Sequence, residues 1–270
     1  MKLAVCQCYS RIADVAANLA ELETCLREIS GSGCSLAVFP ELFLTGYSIS
    51  DEQVKVLAEP VNGAMIQAVQ ALCVKYSIAV VVGYPEAADG RIYNSAVCIS
   101  AEGTTLANYR KTHLWGPDER RLFVPGDNQF PIVNIAGVKV GLMICFELEF
   151  PEITRCLSLQ GARVVVCPTA CSSTDGVMSR VSANARATEN HVFIIYANMC
   201  PEPDRADATP FCGQSAIIAP NGVDIVRAGV TRAVLVGDVS WTDVYQRHTE
   251  RNPYERDRRP ELYGALKQSN

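Results

Sequence analysis

Short runs of valine, isoleucine and leucine recur along this chain, and several of them stop at a polar residue. Leu36-Ala37-Val38-Phe39 closes at Pro40-Glu41, and Val140-Gly141-Leu142-Met143-Ile144 closes at Cys145. Runs of this length without polar alternation suit strands buried on both faces. Helical patterns lie between them, as in residues 14–29, where Val15, Leu19, Leu22, Leu26 and Ile29 share one face and Gly31 and Gly33 follow. Alternating strands and helices with added hairpins predict a layered α/β domain containing a mixed sheet or a pair of sheets.

Strands are expected at 2–8, 36–39, 78–84, 92–99, 104–110, 131–136 and 138–145, then at 163–168, 192–199, 214–219 and 233–239. Helices are expected near 62–76, 151–160 and 175–189, the second opened by Pro151. Asp89-Gly90, Glu102-Gly103, Gly137 and Asn221-Gly222 supply turns. No linker or short repeat interrupts the order, so residues 1–240 read as one domain. Residues 241–270 form a polar tail without a core pattern, suited to lying on another surface.

Several function classes fall away. The net charge is −5, from 24 Lys and Arg against 29 Asp and Glu, which leaves no overall nucleic-acid footprint. The basic run Arg251–Arg259 contains Glu255 and Asp257 and reads as solvated. No segment approaches the ~18 apolar residues of a membrane helix, and the first residues read as a strand instead of a signal peptide. Twelve cysteines are present, yet none are spaced C-x-x-C and only three histidines accompany them. That pattern favours buried, reduced thiols in a cytoplasmic protein over a redox or metal-handling one. G-x-S-x-G, H-E-x-x-H, Walker A and G-x-G-x-x-G signatures are all missing.

Three polar residues at strand ends remain. Cys145 sits where a strand passes into a helix, a place where backbone N–H groups lower a thiol pKa. It is either a nucleophile or a structural thiol. Glu41, flanked by apolar residues, is either a general base with a raised pKa or a loop carboxylate bonded to nearby N–H groups. Lys111, in Tyr109-Arg110-Lys111-Thr112-His113-Leu114, would by itself be a surface lysine.

Taken together, Phe39-Pro40-Glu41, Arg110-Lys111-Thr112-His113-Leu114 and Ile144-Cys145-Phe146-Glu147 with Phe150-Pro151-Glu152 resemble the nitrilase superfamily of carbon–nitrogen hydrolases. The resemblance extends from the first strand to about residue 240. It implies a four-layer α-β-β-α sandwich, a Glu41–Lys111–Cys145 triad and no metal or organic cofactor. Glu119 falls where relatives place a second carboxylate, its alternative being a surface partner of Arg120 or Arg121. The resemblance tightens toward bacterial aliphatic amidases of the 5-aminovaleramide type through Leu42-Phe43-Leu44-Thr45-Gly46-Tyr47, Gly83-Tyr84-Pro85-Glu86, Ile92-Tyr93-Asn94-Ser95 and Phe211-Cys212-Gly213-Gln214-Ser215. Phe146-Glu147 departs from the Tyr-Asp or Trp-Asp usual in amidases and is similar to true nitrilases.

By the same resemblance, pocket walls come from Tyr47, His113, Phe146, Glu149, Thr169, Ala170 and Asn198. The implied reaction is hydrolysis of a small aliphatic amide to acid and ammonia through a cysteine thioester. Glu149 is expected to meet the ammonium of an ω-amino amide such as 5-aminopentanamide, or else to cap the helix or pair with Arg155. The competing readings are an N-carbamoyl hydrolase, a nitrilase and a catalytically silent binding module. The expected partners are the small-molecule amide and a second copy of the chain, in a homodimer or larger homo-oligomer with the tail at its interface.

Overall fold

The computed structural model describes residues 1–127, 130–172, 176–201 and 211–267. Twelve strands among these residues form two six-stranded sheets. In the first sheet, β1 (Lys2–Gln7), β2 (Cys34–Val38) and β3 (Ala79–Ala88) run parallel. β4 (Arg91–Ile99) and β5 (Thr105–Arg110) extend it as antiparallel hairpins on one side. In the second, β6 (Ile132–Ile135) pairs antiparallel with β7 (Val138–Leu142), which begins a parallel trio with β8 (Val164–Thr169) and β9 (Phe193–Asn198). β10 (Ala216–Ile218) and β11 (Asp224–Arg227) complete that sheet, and β12 (Ala233–Asp238) returns to pair with β1.

The strand period of two explains why these runs are apolar throughout. On β1, Leu3 and Val5 join the core between the sheets, whereas Ala4 and Cys6 face the core beneath the first helix layer. β2 and β3 repeat the division, with Leu36, Val38 and Val81 inward and Ala37, Val80 and Val82 outward. Helices α1 (Val15–Ile29) and α3 (Ala64–Tyr76) cover the outer face of the first sheet through Leu22, Leu26, Ile66 and Val69. Helices α5 (Pro151–Leu159) and α6 (Ala183–Asn190) contribute Ile153, Leu157, Ala183 and Ala187 to the core of the second sheet. The result is the α-β-β-α sandwich expected from the sequence.

Local differences from the sequence reading have identifiable causes. The short helices α2 (Asp51–Leu57) and α4 (Gly116–Leu122) were not anticipated, because seven residues give too little apolar periodicity. The helix expected at 175–189 begins outside the described residues at Asp175. It then runs as a π-helical turn, Met178–Ser182, into α6. β7 stops at Leu142, so Cys145 opens a 3-10 turn, Cys145–Glu149, instead of ending a strand.

The tail contains α7 (Asp243–Arg251), which buries no residue completely. It still rests partly on its own chain: Tyr245 packs edge-on against Phe193 at 5.4 Å, and Tyr254 stacks on His191 at 5.0 Å. Among the described residues no helix is long and apolar enough to cross a membrane.

Candidate active site

The C-terminal ends of the parallel strands of both sheets meet at one place, and the charged residues singled out in the sequence are found there. Glu41 follows β2. Its N–H reaches across to the carbonyl of Thr169 at the end of β8, 3.4 Å away. The approach depends on Gly83 of β3, where a Cβ would lie 2.2 Å from the Leu42 nitrogen and 2.8 Å from the Glu41 Cα. Lys111 follows β5, held by its N–H to the Asn94 carbonyl and by its own carbonyl, which accepts from Gly126 N–H.

Lys111 is fully buried, which a lysine tolerates only with charged partners. Its Nζ donates to Glu41 Oε1 at 2.6 Å and to Glu119 Oε1 at 2.8 Å. Glu119 also accepts from the Tyr47 hydroxyl at 2.7 Å and from Trp115 N–H at 2.9 Å. Glu119 lies in the first turn of α4, where the helix dipole favours a carboxylate. It is 3% exposed, which rules out the surface pairing with Arg120 or Arg121. Asn94 Nδ2 donates 2.8 Å to Glu41 Oε1, while Glu41 Oε2 is buried with no hydrogen-bond partner.

Electrostatics follow from this packing. Burial pushes the Glu41 pKa up, Lys111 opposes the rise, Glu119 adds to it, and the net effect leaves the carboxyl above its ordinary range. Burial works against the Lys111 charge, but Glu41, Cys145 and Glu119 together outweigh it and hold the ammonium more firmly than in water. Burial and the neighbouring Glu41 push the Cys145 thiol well up, opposed by Lys111 and by the Ala170 N–H. The resting cysteine is therefore a thiol, and the thiol stands close enough to Glu41 to help hold its charge.

Cys145 takes a left-handed backbone conformation, φ 50°, at the start of its 3-10 turn. A non-glycine residue in that region is held there by its surroundings, and Glu147 anchors the turn. Its fully buried carboxylate accepts from Ile144 N–H at 2.7 Å, Tyr109 hydroxyl at 2.7 Å, Thr112 N–H at 2.7 Å and Thr112 hydroxyl at 2.5 Å. Glu147 thus joins the turn that presents Cys145 to the residue that follows Lys111. The sequence flagged it only as a departure from a family pattern.

Cys145 opens on a cavity of about 310 Å³. Four of the residues expected in its walls are there: Tyr47, Phe146, Glu149 and Ala170. Three are not among its described lining residues. Thr169 is buried behind the wall, its hydroxyl on the Cys167 carbonyl. Asn198, also buried, accepts from Cys171 N–H at 2.8 Å and donates to the Gly213 carbonyl at 2.9 Å, so it positions two wall loops without facing the cavity. His113 packs against Phe150 at 4.4 Å and meets the Thr112 hydroxyl at 2.8 Å. Trp115, Met178 and Phe211 line the cavity and were missed, since each reaches it only through tertiary packing.

The described lining also includes Asp118 beside Glu149 and contains no lysine or arginine. Elsewhere, Cys8, Glu21 and Cys25 form the one group among the described residues whose ligand atoms lie close enough together to hold a metal ion.

A buried ammonium gripped by two carboxylates beside a thiol on a strained turn defines a thiol-dependent hydrolase site. The carbon–nitrogen hydrolase family model matches residues 2–248, and the chain belongs to that family, within the nitrilase superfamily. It is 40% identical over 267 residues to a Pseudomonas protegens protein described as hydrolase in pqqF 5'region, covering 98% of this chain and 92% of the relative. It is 36% identical over 266 residues to an (R)-stereoselective amidase of Pseudomonas sp., with 98% and 93% covered. Among solved structures it superposes on a variant of the amidase from Nesterenkonia sp. AN1 in which acrylamide has added to the active-site cysteine. That match has a TM-score of 0.84 and 29% identity, and it covers 98% of this chain and 99% of the other.

Proposed function

We propose that this enzyme hydrolyses small aliphatic primary amides to carboxylic acid and ammonia through a thioester on Cys145, preferring amides that carry a terminal ammonium. The observation that carries the chemistry is the Lys111 Nζ, bonded to both Glu41 and Glu119 beside a buried thiol. An ammonium has three protons. Two are committed to these carboxylates, which leaves one to meet an oxyanion.

In the first half-reaction Glu41 takes the Cys145 proton through Oε2 as sulfur attacks the carboxamide carbon. The carbonyl electrons move to oxygen, stabilised by Lys111 and by the N–H of Phe146, which lies in a first helical turn without an intrahelical acceptor. Protonated Glu41 then delivers its proton to nitrogen, the C–N bond breaks, and ammonia leaves a thioester. In the second half-reaction Glu41 deprotonates water, hydroxide adds to the thioester carbon, the C–S bond breaks, and sulfur regains its proton. Glu119 keeps Lys111 charged and fixed throughout, and with two glutamates beside one lysine the buried charges stay compatible.

Glu149 in the cavity wall supports a cationic substrate end, as does Asp118, which also pairs with Arg121 at 3.0 Å, and the aromatic residues Trp115 and Phe146 line the same cavity. A compound such as 5-aminopentanamide satisfies both ends. An N-carbamoyl amine presents a similar cation and a related carbonyl, so the decisive experiment is an ammonia assay over ω-amino amides, neutral amides of equal length, carbamoyl amines and nitriles. The expected result is fastest turnover of the ω-amino amide without carbon dioxide release. Carbon dioxide in step with ammonia would favour the carbamoyl substrate. Glu149→Gln is expected to raise KM for the amino amide several-fold and leave neutral amides unchanged. Equal losses on both would make Glu149 a structural carboxylate.

A further inference from the structure

A second thiol centre lies outside the catalytic site, on the helix side of the first sheet. Cys8, just after β1, places its Sγ 3.3 Å from the Sγ of Cys25 on α1. Both are buried. Arg232, immediately before β12, points Nη2 at Cys25 Sγ from 3.6 Å; the same Nη2 donates to Glu28 at 2.7 Å and Nε donates to Glu21 at 2.6 Å. Three elements distant in sequence thus bring two sulfurs and a fixed cation together.

We infer that Cys8 and Cys25 are an oxidisable dithiol that a hydroperoxide closes to a disulfide. A thiolate needs donors around it. Around Cys25 Sγ stand Cys8 Sγ at 3.3 Å, Arg232 Nη2 at 3.6 Å and Glu21 Oε1, to which the thiol donates, at 3.6 Å; the neighbouring thiols and the Arg232 cation pull the Cys25 pKa down against the effect of burial. Cys6 and Cys8 move the opposite way: burial is the main cause for Cys6, and the hydrogen bond to Cys25 is the main cause for Cys8. The cover over Cys25 on the Arg232 side consists of side chains, with Arg232 32% and Glu21 23% exposed.

The electron count closes. The Cys25 thiolate attacks one peroxide oxygen, the O–O bond breaks, and Cys25 becomes a sulfenic acid while hydroxide takes up a solvent proton. The Cys8 sulfur then attacks the Cys25 sulfur, the S–O bond breaks, and the departing hydroxide leaves as water with the Cys8 proton. Two thiols lose two electrons and one peroxide gains them. The spacing suits this step better than metal capture. The two sulfurs already lie 3.3 Å apart, whereas a cation at Cys8, Glu21 and Cys25 would face the Arg232 charge.

The test uses the full chain with Cys145→Ala, so that the catalytic thiol does not consume oxidant. Native protein is treated with hydrogen peroxide, quenched, blocked with N-ethylmaleimide under denaturing conditions and analysed by peptide mass spectrometry. The exposed Cys156 serves as the internal standard. A Cys8–Cys25 linkage is expected to form at least ten-fold faster than Cys156 oxidises, and Arg232→Gln is expected to slow it several-fold with circular dichroism unchanged. Absence of the linkage once Cys156 is fully oxidised would overturn the inference. So would protection of both thiols by tightly bound zinc in the purified protein, or a linkage rate indifferent to Arg232→Gln.

Discussion

Gly83 and Glu41 lie so close that a Cβ on the glycine would sit 2.8 Å from the Glu41 Cα. The clash is with backbone, which cannot swing away as a flexible side chain would. Gly83→Ala is therefore expected to displace the carboxylate. Misplacement by about 1 Å can cost on the order of 100-fold in rate, so kcat should fall by roughly that factor. Normal kcat with Gly83→Ala would mean that the Glu41 loop moves without consequence.

Cys145→Ala is expected to abolish turnover and preserve the fold, since a methyl group fills a partly open position at the cavity floor. An acrylamide or haloacetamide label should attach to Cys145 before Cys171, although both line the cavity. Peptide mapping after partial labelling decides this, and preferential modification of Cys171 would refute the assignment of the nucleophile.

Glu41 must be ionised to accept the thiol proton, and its pKa is raised chiefly by burial. The acid limb of kcat/KM is accordingly expected above the ordinary glutamate pKa of about 4.3. Activity should increase as pH rises through that limb. The stability effect has the opposite sign. Between the unfolded and folded pKa values of Glu41 the native state holds more protons, so its contribution to stability declines as pH rises. Urea unfolding of wild type and Glu41→Gln across this window should show the decline in the wild type alone.

Glu147→Gln replaces an acceptor of four hydrogen bonds with a group that also carries two donors. At least one neighbour is left unsatisfied, at about 1–3 kcal/mol. The thermal midpoint should fall, and kcat should drop at least ten-fold because both Cys145 and the Lys111 loop lose their common restraint. A stable variant with full activity would show that the turn holds without the charge.

The tail points to assembly. Trp241, Tyr254 and Tyr263 stay at least a third exposed on the isolated chain, among charged residues, which suits a wet aromatic interface. We expect a homodimer at micromolar concentration by light scattering, and truncation after Ser240 should shift it toward monomer. A monomeric full chain would contradict this.

What could be read from the sequence depended on whether a residue's role is local. Glu41 and Cys145 stand out because each is a polar stop beside an apolar run, whereas Lys111 gains its meaning only from the family resemblance; strand patterning predicts a layered α/β domain, and the resemblance implies the sandwich. Glu119 was placed by family spacing. Nothing local announced that it would be buried against Lys111. α2 did carry a local sign, the Ser50–Gln53 capping box, but α4 had little beyond a proline in its first turn. Thr169 and Asn198 were expected at the cavity surface and instead support it from behind, because strand-end position alone does not say which way a side chain faces. Cys8 and Cys25 lie seventeen residues apart with no motif between them, and only the packing of α1 on β1 makes them neighbours.

The machinery straddles a seam. Glu41 and Lys111 come from the first sheet and its hairpins, Cys145 from the second, and the Glu41–Thr169 and Glu147–Thr112 hydrogen bonds stitch the two together. Each half alone carries an incomplete reagent. Without the packing of the two sheets, Cys145 would have neither Glu41 nor Lys111 beside it. The proposed site is whole only where the two sheets are packed together, so sheet-to-sheet packing and site assembly are one event.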